Sequence, residues 1–480
     1  MKATTQMLAT ALLICLSASE IAASTWRKYE SDNFIVYSDY SEESVLKKIR
    51  RFEMFKATIH KLLSIPKSTE AVSFEIYLFQ SEWTLRKFTR KNSIAGFYRD
   101  RLGYPLMVVG PSGKDEIFFH EYIHFLTNRM GHFVYPRWYS EGLADFYSTL
   151  EFSDGSAIIG GVPHSRRSAL DYYAMLPVEH LLEPGELFKD GRYTARFYAA
   201  AWLLAHRMIL GAANGMDDYS APFKRYLLRY TKGERNADVL FEELGVDAKA
   251  VYNDLRRYAA KRKWNALSIP VSELKPEIDI NELSLRDEIN VKVRLAVAIG
   301  EWEYAGDLLR EYEDSIDGEG RAALAIIEGH ASEEVGQEEK LIERLIEAPS
   351  LSGAGHAYLG HALLDLAEKR VDSSEALLAE ALKHLEIARE QEALYGASAL
   401  MVEAYWALGR KQSAMNEIAR ILELNPVSLP ANILAGEYSM KAGLKEDARF
   451  FLNRVVNWAH TDAQAKEAVD LLAELDASEP

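Results

Sequence analysis

The sequence predicts an α+β domain, a small mixed sheet with site-bearing helices, followed by an all-α solenoid. Three observations predict it. Through residue 270, β-rich segments alternate with stretches of helical periodicity. Beyond residue 288 the pattern is helical, and small residues recur 34 positions apart, Gly409 and Ala414 returning as Gly443 and Ala448. The charge changes at the same boundary. Residues 1–270 hold 36 Lys and Arg against 31 Asp and Glu, a net of +5; of the chain's 56 and 72 this leaves 20 against 41, a net of −21.

A length of 480 residues with 48% apolar content is a soft prior for about three ordered domains. The first 24 residues stand apart. Lys2, the apolar run from Met7 to Leu16 and the Ala- and Ser-rich stretch from Ser17 to Ser24 read as a cleavable secretory signal. Ten apolar residues make about half a bilayer span, so no transmembrane span is expected once the signal is removed. The run before Cys15 has Ile14 where a lipoprotein box needs a small residue. Cys15 is the one cysteine in the chain; the mature protein then has neither disulfides nor a thiol nucleophile. The expected location is the periplasm or the exterior.

Residues 25–267 read as the first folded domain. Asn33 to Ser38, Val72 to Phe79 and Leu106 to Val109 are strand candidates, and Val45 to Leu63 is helical with Lys and Arg on its outer face. Ser112 with Asp115 forms a candidate capping box, and Gly131 a stop, for a helix of about five turns. That helix carries His120-Glu121-Tyr122-Ile123-His124. Residues four apart lie on one helical face, so both imidazoles reach one ion, and Glu121 beside them is placed to act as a general base. A catalytic zinc needs a third protein ligand and an open fourth position. Glu141, seventeen residues after His124, is the candidate, and Asp145 one turn further is placed to hold a ligand histidine through its other ring nitrogen.

HEYIH followed by YSEGLAD resembles the gluzincin zinc metallopeptidases, in particular the bacterial peptidase-MA-like domains. The resemblance implies His120, His124 and Glu141 as ligands of one Zn²⁺ per chain, Glu121 as base and Asp145 as partner of a ligand histidine. It also implies that the strand Leu106 to Val109 lies at the cleft edge, where substrate backbone pairs. The metzincin pattern fails, because its Gly and third His would fall on Thr127 and Met130. No Gly-x-Met-x-Asn precedes the motif, which argues against an aminopeptidase. No cofactor-binding residue beyond the metal set is expected.

After Glu141 a hairpin is expected around Asp154-Gly155 and Gly160-Gly161, then a helix from Arg192 to His206 with Tyr198, Trp202 and His206 on one face. Charge develops on the carbonyl oxygen during peptide hydrolysis, and a Tyr hydroxyl or His N–H aimed there stabilises it. Tyr198, Tyr193 and His206 are the candidate donors; an aromatic stripe at helical spacing also reads as core. Arg166, Arg167 and His164 read as solvated charge, with contact to a substrate carboxylate as the other reading.

Pro270 and Pro276 mark a linker over 268–287, and 288–475 resembles tetratricopeptide repeats, with units at 395–428 and 429–462. Gly300 with Ala305 repeats the Gly-to-Ala step earlier, and Gly329 with Gly336 the seven-residue step from Gly436 to Gly443, while Gly360 with Ala381 and Ala388 requires an insertion between its helices. His330, His356, His361 and His384 are not at ligand spacing and read as structural or exposed. The resemblance implies a protein partner or substrate on the repeats. A −21 half and a +5 half without a dense basic run exclude nucleic acid. The reading is a secreted or periplasmic zinc metallopeptidase cleaving peptide bonds in a peptide or protein substrate. The alternatives are a catalytically silent repeat scaffold with a vestigial zinc domain, and zinc hydrolysis of a different amide such as a peptidoglycan cross-link.

Overall fold

A computed structural model describes residues 26–477 apart from 66–73, 91–94, 102–103, 112, 131–133, 165, 173–174, 184–190, 262, 332–336, 347–350, 371, 373, 392–395, 425 and 460–461. The expected signal segment with Cys15, Ser112 of the capping box, and the stop at Gly131 lie outside these residues.

The first half is built on strands β1 (Arg27–Glu30), β2 (Phe34–Ser38), β3 (Phe74–Leu78), β4 (Gly96–Arg101) and β5 (Tyr104–Val109), with helices α1 (Glu42–Leu63) and α2 (Glu82–Thr89) between them. Helices α3 (Asp115–Met130) and α4 (Arg137–Ser148) follow, then a hairpin of β6 (Glu151–Ser153) and β7 (Ser156–Ile159). Its turn residues Asp154 and Gly155 have φ of 48° and 72°, the left-handed pair that a tight hairpin requires. Short helices α5 (Arg167–Tyr172) and α6 (Val178–Leu182) lead to α7 (Gly191–Leu210), and α8 (Ser220–Thr231), α9 (Asp238–Leu244) and α10 (Ala248–Ala260) close this half.

The main sheet has the order β4-β5-β3-β2-β1-β9, where β9 is Asp279–Glu282. Strands β2, β3 and β5 are parallel to one another, and the flanking strands antiparallel to their neighbours. Alternation along the strands decides what lies on each face. Phe74, Ile76 and Leu78 join the core under α1 and α3. Tyr77, Leu106 and Val108 join a second core with Ile289, Val293 and Leu309 of the helical half. Burial on both faces is why the central strands read as nearly continuous apolar runs.

The stretch expected to be a linker therefore is not one. Within 268–287, β8 (Leu267–Pro270) pairs with β7 and β9 pairs with β1, register Arg27↔Glu282 to Glu30↔Asp279. Every residue of β9 is exposed, so its backbone ladder and the Arg27–Glu282 ion pair at 3.1 Å tie the segment down; a polar, proline-bearing stretch gives no apolar pattern to reveal that. The two halves also share buried polar contacts: Arg294 lies 3.6 Å from Glu75 of β3 and 3.3 Å from Glu319, and Tyr77 donates to Glu75 at 2.7 Å. The acidic half meets the basic one in ion pairs as well, Arg90 with Glu301 at 2.8 Å and Glu303 at 2.7 Å.

The second half consists of antiparallel helix pairs: α11 (Leu285–Ile299) with α12 (Trp302–Glu311), α13 (Gly318–Ala331) with α14 (Gln337–Ile346), and α15 (Gly353–Lys369) with α16 (Ser374–Glu390). The pairs α17 (Ala397–Ala407) with α18 (Lys411–Leu424) and α19 (Leu429–Lys441) with α20 (Lys445–Trp458) follow, then α21 (Asp462–Ala477). Gly409 and Gly443 end their helices at φ of 71° and 77°, and Ala414 and Ala448 are fully buried where the partner helices touch. The 34-residue phase is thus a helix-pair phase. No insertion separates the helices around Gly360. Instead α15 runs nine residues past Gly360 where α19 runs five past Gly436, and α16 starts seven residues before Ala381 where α20 starts three before Ala448. One extra turn on each helix accounts for the longer spacing. Val427 and Trp458 pack back against the core of the first half, so the array touches that half at its beginning and near its end. Among the described residues no helix is long and apolar enough to cross a membrane.

Candidate metal centre

Helix α3 is fixed before any ligand is considered. Asp115 in its first turn pairs with Lys48 at 3.3 Å and with Arg51 of α1, a carboxylate at the end of the helix that favours negative charge. Phe118 stacks on Phe52 at 3.6 Å and Phe119 on Phe55 at 4.0 Å; Tyr122, Ile123, Phe125 and Leu126 are buried with them. The face left over carries His120, Glu121 and His124, all half-buried.

Helix α4 brings the carboxylates. It lies against α7 so closely that a Cβ on Gly142 would stand 2.3 Å from the carbonyl oxygen of Ala201. Only glycine allows that approach, and the neighbouring Glu141 is carried to the histidines. His120 Nε2 and His124 Nε2 are 3.2 Å apart, and Glu141 Oε2 stands 3.3 Å from the first and 3.4 Å from the second. Ligand atoms on a tetrahedron at ~2.0–2.2 Å from a zinc ion stand ~3.3–3.6 Å from one another. The three atoms therefore have the spacing of one face of such a tetrahedron, and they form the one metal-capable group of three or more among the described residues.

Asp145, one turn beyond Glu141, accepts from His120 Nδ1 at 2.9 Å, which leaves His120 Nε2 to face Glu141. The carboxylate is almost wholly buried, and Arg166 closes its other side with Nε at 2.7 Å from Oδ2 and Nη2 at 3.2 Å from Oδ1. Arg166 in turn lies over the Tyr198 ring at 4.4 Å. Sequence reading took Arg166 for solvated charge; its partner is a buried acid 21 residues away, and no local pattern joins the two. Ser140 Oγ lies 3.4 Å from His124 Nδ1, so both imidazoles have a polar group behind them.

Burial and two carboxylates set the electrostatics of the cluster. Burial opposes charge on His120, yet Asp145 and Glu141 outweigh it and push its pKa up to about 10. Burial would raise Glu141, but the charges and hydrogen bonds of His124 and His120 hold it well below the usual carboxylate range. Asp145 is likewise held down, against burial, by Arg166 and His120. A His pKa raised from 6.5 to about 10 contributes stability that is fully present below pH 6.5 and lost as pH rises through 10. The metal-free protein is accordingly expected to melt at progressively lower temperature from pH 7 to 10, and a bound divalent ion to flatten that slope, as thermal melts with and without chelator would read.

Glu121 stays outside the three-atom group. Its Oε2 accepts the main-chain N–H of Tyr98 at 3.1 Å. Tyr98 is on β4, which the sequence reading missed and which, rather than the strand Leu106 to Val109, forms the edge of the sheet next to the site; β5 is interior, between β4 and β3. The charged residues of GFYRDR hide an edge strand that needs no alternating apolar pattern.

The candidate donors separate cleanly. Tyr198 is half-buried beside the site; burial, then the charge of Glu141, raises its hydroxyl pKa, so it stays protonated. His206 does not reach the site. Its Nε2–H donates to the Gly160 carbonyl at 2.9 Å, its Nδ1 accepts from Tyr258 at 2.6 Å, and burial lowers its pKa to about 4. It is a neutral core residue on the buried face with Trp202. Tyr193 donates to the His180 carbonyl at 2.5 Å. In the repeats, His356 and His384 meet through their Nδ1 atoms at 2.7 Å with rings stacked, a pairing across α15 and α16 that sequence spacing did not show. His361 lies 3.8 Å from Asp365, and the His330 side chain lies outside the described residues.

No family model matches the chain, and no curated protein matches it. Among solved structures, part of the chain is similar to a thermophilic TPR protein of Thermus thermophilus, at 18% identity over 40% of this chain and 97% of that one, with a TM-score of 0.31. The helix pairs in 34-residue phase, independent of that likeness, define the repeat region here.

Proposed function

We propose that the chain is a zinc-dependent metallopeptidase of the gluzincin type, secreted or periplasmic, whose tetratricopeptide-like array recruits a protein substrate or partner. The observation that carries the reading is the convergence of His120 Nε2, His124 Nε2 and Glu141 Oε2 at tetrahedral spacing, with Asp145 behind one histidine and a carboxylate, Glu121, beside the group without joining it.

In this reading His120, His124 and Glu141 hold the ion. When bound, zinc supplies Lewis-acid polarisation of the scissile carbonyl and lowers the pKa of water from 15.7 to about 7. Asp145 keeps the His120 proton on Nδ1, so that Nε2 stays a ligand. Glu121 removes a proton from the attacking water and delivers it to the leaving amine, with its Oε2 bonded to the Tyr98 N–H. Tyr198, protonated and beside Glu141, is the donor for the carbonyl oxygen as negative charge develops there. The open edge of β4 offers main-chain groups for an extended peptide to pair with. The leading segment supports export, and the helix pairs, which carry no catalytic constellation among the described residues, support binding.

Metal analysis tests it. Purified protein is expected to carry one zinc per chain, a chelator to abolish cleavage of labelled casein, and added zinc to restore it. Glu141→Ala is expected to lose the metal. Full metal content in Glu141→Ala would remove this ligand set, and metal-loaded wild type that cleaves nothing across a broad peptide library would favour the silent scaffold.

A further inference from the structure

We infer that the main-chain N–H of Tyr98 is the positioning donor for Glu121, binding Oε2 and leaving Oε1 as the atom that takes the proton. Glu121 has three free side-chain torsions on a half-exposed helix face, and the 3.1 Å bond to Tyr98 is what gives its carboxylate one direction. The donor itself cannot move. Tyr98 pairs with Met107 of β5, and its ring lies parallel to Phe74 at 6.1 Å and edge-on to Phe125 at 6.1 Å. Main-chain groups of alternate residues face opposite sides of a strand. The Ala95 carbonyl takes the Gly110 N–H on the β5 side, which turns the N–H of Tyr98 to the outer side.

Gly96, two residues earlier, makes the reach possible. A Cβ there would stand 2.5 Å from the Ile117 side chain of α3 and 2.8 Å from the Val108 carbonyl oxygen. Strand and helix approach to a distance no larger residue permits, and Glu121 lies one turn beyond Ile117 on the same face. Because Tyr98 gives its N–H to Glu121, an extended peptide on this edge is left the outward groups of Gly96 and Asp100 and the carbonyl of Tyr98. Strand and base thus form one unit.

The kinetic arm of the test rests on the peptidase reading; the exchange arm does not. Replacing Tyr98 by its α-hydroxy acid, which keeps the ring and removes only the N–H, is expected to lower kcat on fluorescein-labelled casein about tenfold. KM and zinc content are expected to be unchanged. An ester variant with wild-type kcat overturns the assignment. Amide hydrogen exchange at Tyr98 is measured in parallel on wild type and Glu121→Ala. It is expected to be about tenfold faster in the variant, and equal rates overturn the assignment whether or not the protein turns casein over.

Discussion

Glu121→Gln is expected to keep one zinc per chain and to lower casein turnover by about 10²–10⁴-fold, the usual worth of a positioned general base. The substitution isolates proton transfer because little else changes. Gln has the same length, its carbonyl oxygen can still accept the Tyr98 N–H that Glu121 Oε2 accepts at 3.1 Å, and the three metal-facing atoms do not include this side chain. What is lost is the ability to take a proton. Metal content by atomic emission and turnover on one preparation read the two effects separately. Wild-type turnover would take the base assignment away from Glu121, and lost zinc would mean that it supports the metal rather than the proton.

What the sequence revealed and what it concealed follow from the range of the forces involved. His120, Glu121 and His124 were legible because helical geometry fixes their relation within four residues, and Glu141 with Asp145 because a second helix does the same. Arg166 was not, since its relation to Asp145 depends on the path of the chain through the hairpin and α5. The donor on Tyr98 was invisible because it is a main-chain group, identical in every residue but proline. His206 shows the opposite failure: a helical face shared with Tyr198 says nothing about how far along the helix the site extends, and two turns on, the face is buried against Tyr258 and Gly160. The supposed linker fell to backbone pairing, which side-chain composition does not encode. The charge step at residue 270 proved to be the boundary of an interface, with Arg90 and Glu303 on its two sides.

The second large effect is expected one layer behind the metal. Asp145→Asn should weaken zinc binding about 10–100-fold, the range found when a carboxylate behind a ligand histidine is removed. The side chain is 2% exposed and its two oxygens serve three donors, His120 Nδ1 and two nitrogens of Arg166. An asparagine of the same size offers one accepting oxygen and an NH₂ group that faces a donor, so either His120 or Arg166 loses its partner. If His120 loses it, the ring is free to rotate or to put its proton on Nε2, the atom facing Glu141. Arg166→Met, by contrast, leaves His120 bonded to an intact carboxylate, and because the Arg166 side chain is 22% exposed its loss is partly made up by solvent. Its effect on zinc affinity should be the smaller of the two. The double variant should fall short of the sum of the single losses by about 0.5–3 kcal/mol, as residues of one network do. Competition against a chelator of known affinity reads all three. If Asp145→Asn holds zinc as tightly as wild type, the imidazole is kept in place by helix packing, and the buried Asp145–Arg166 pair serves the fold instead of the ion.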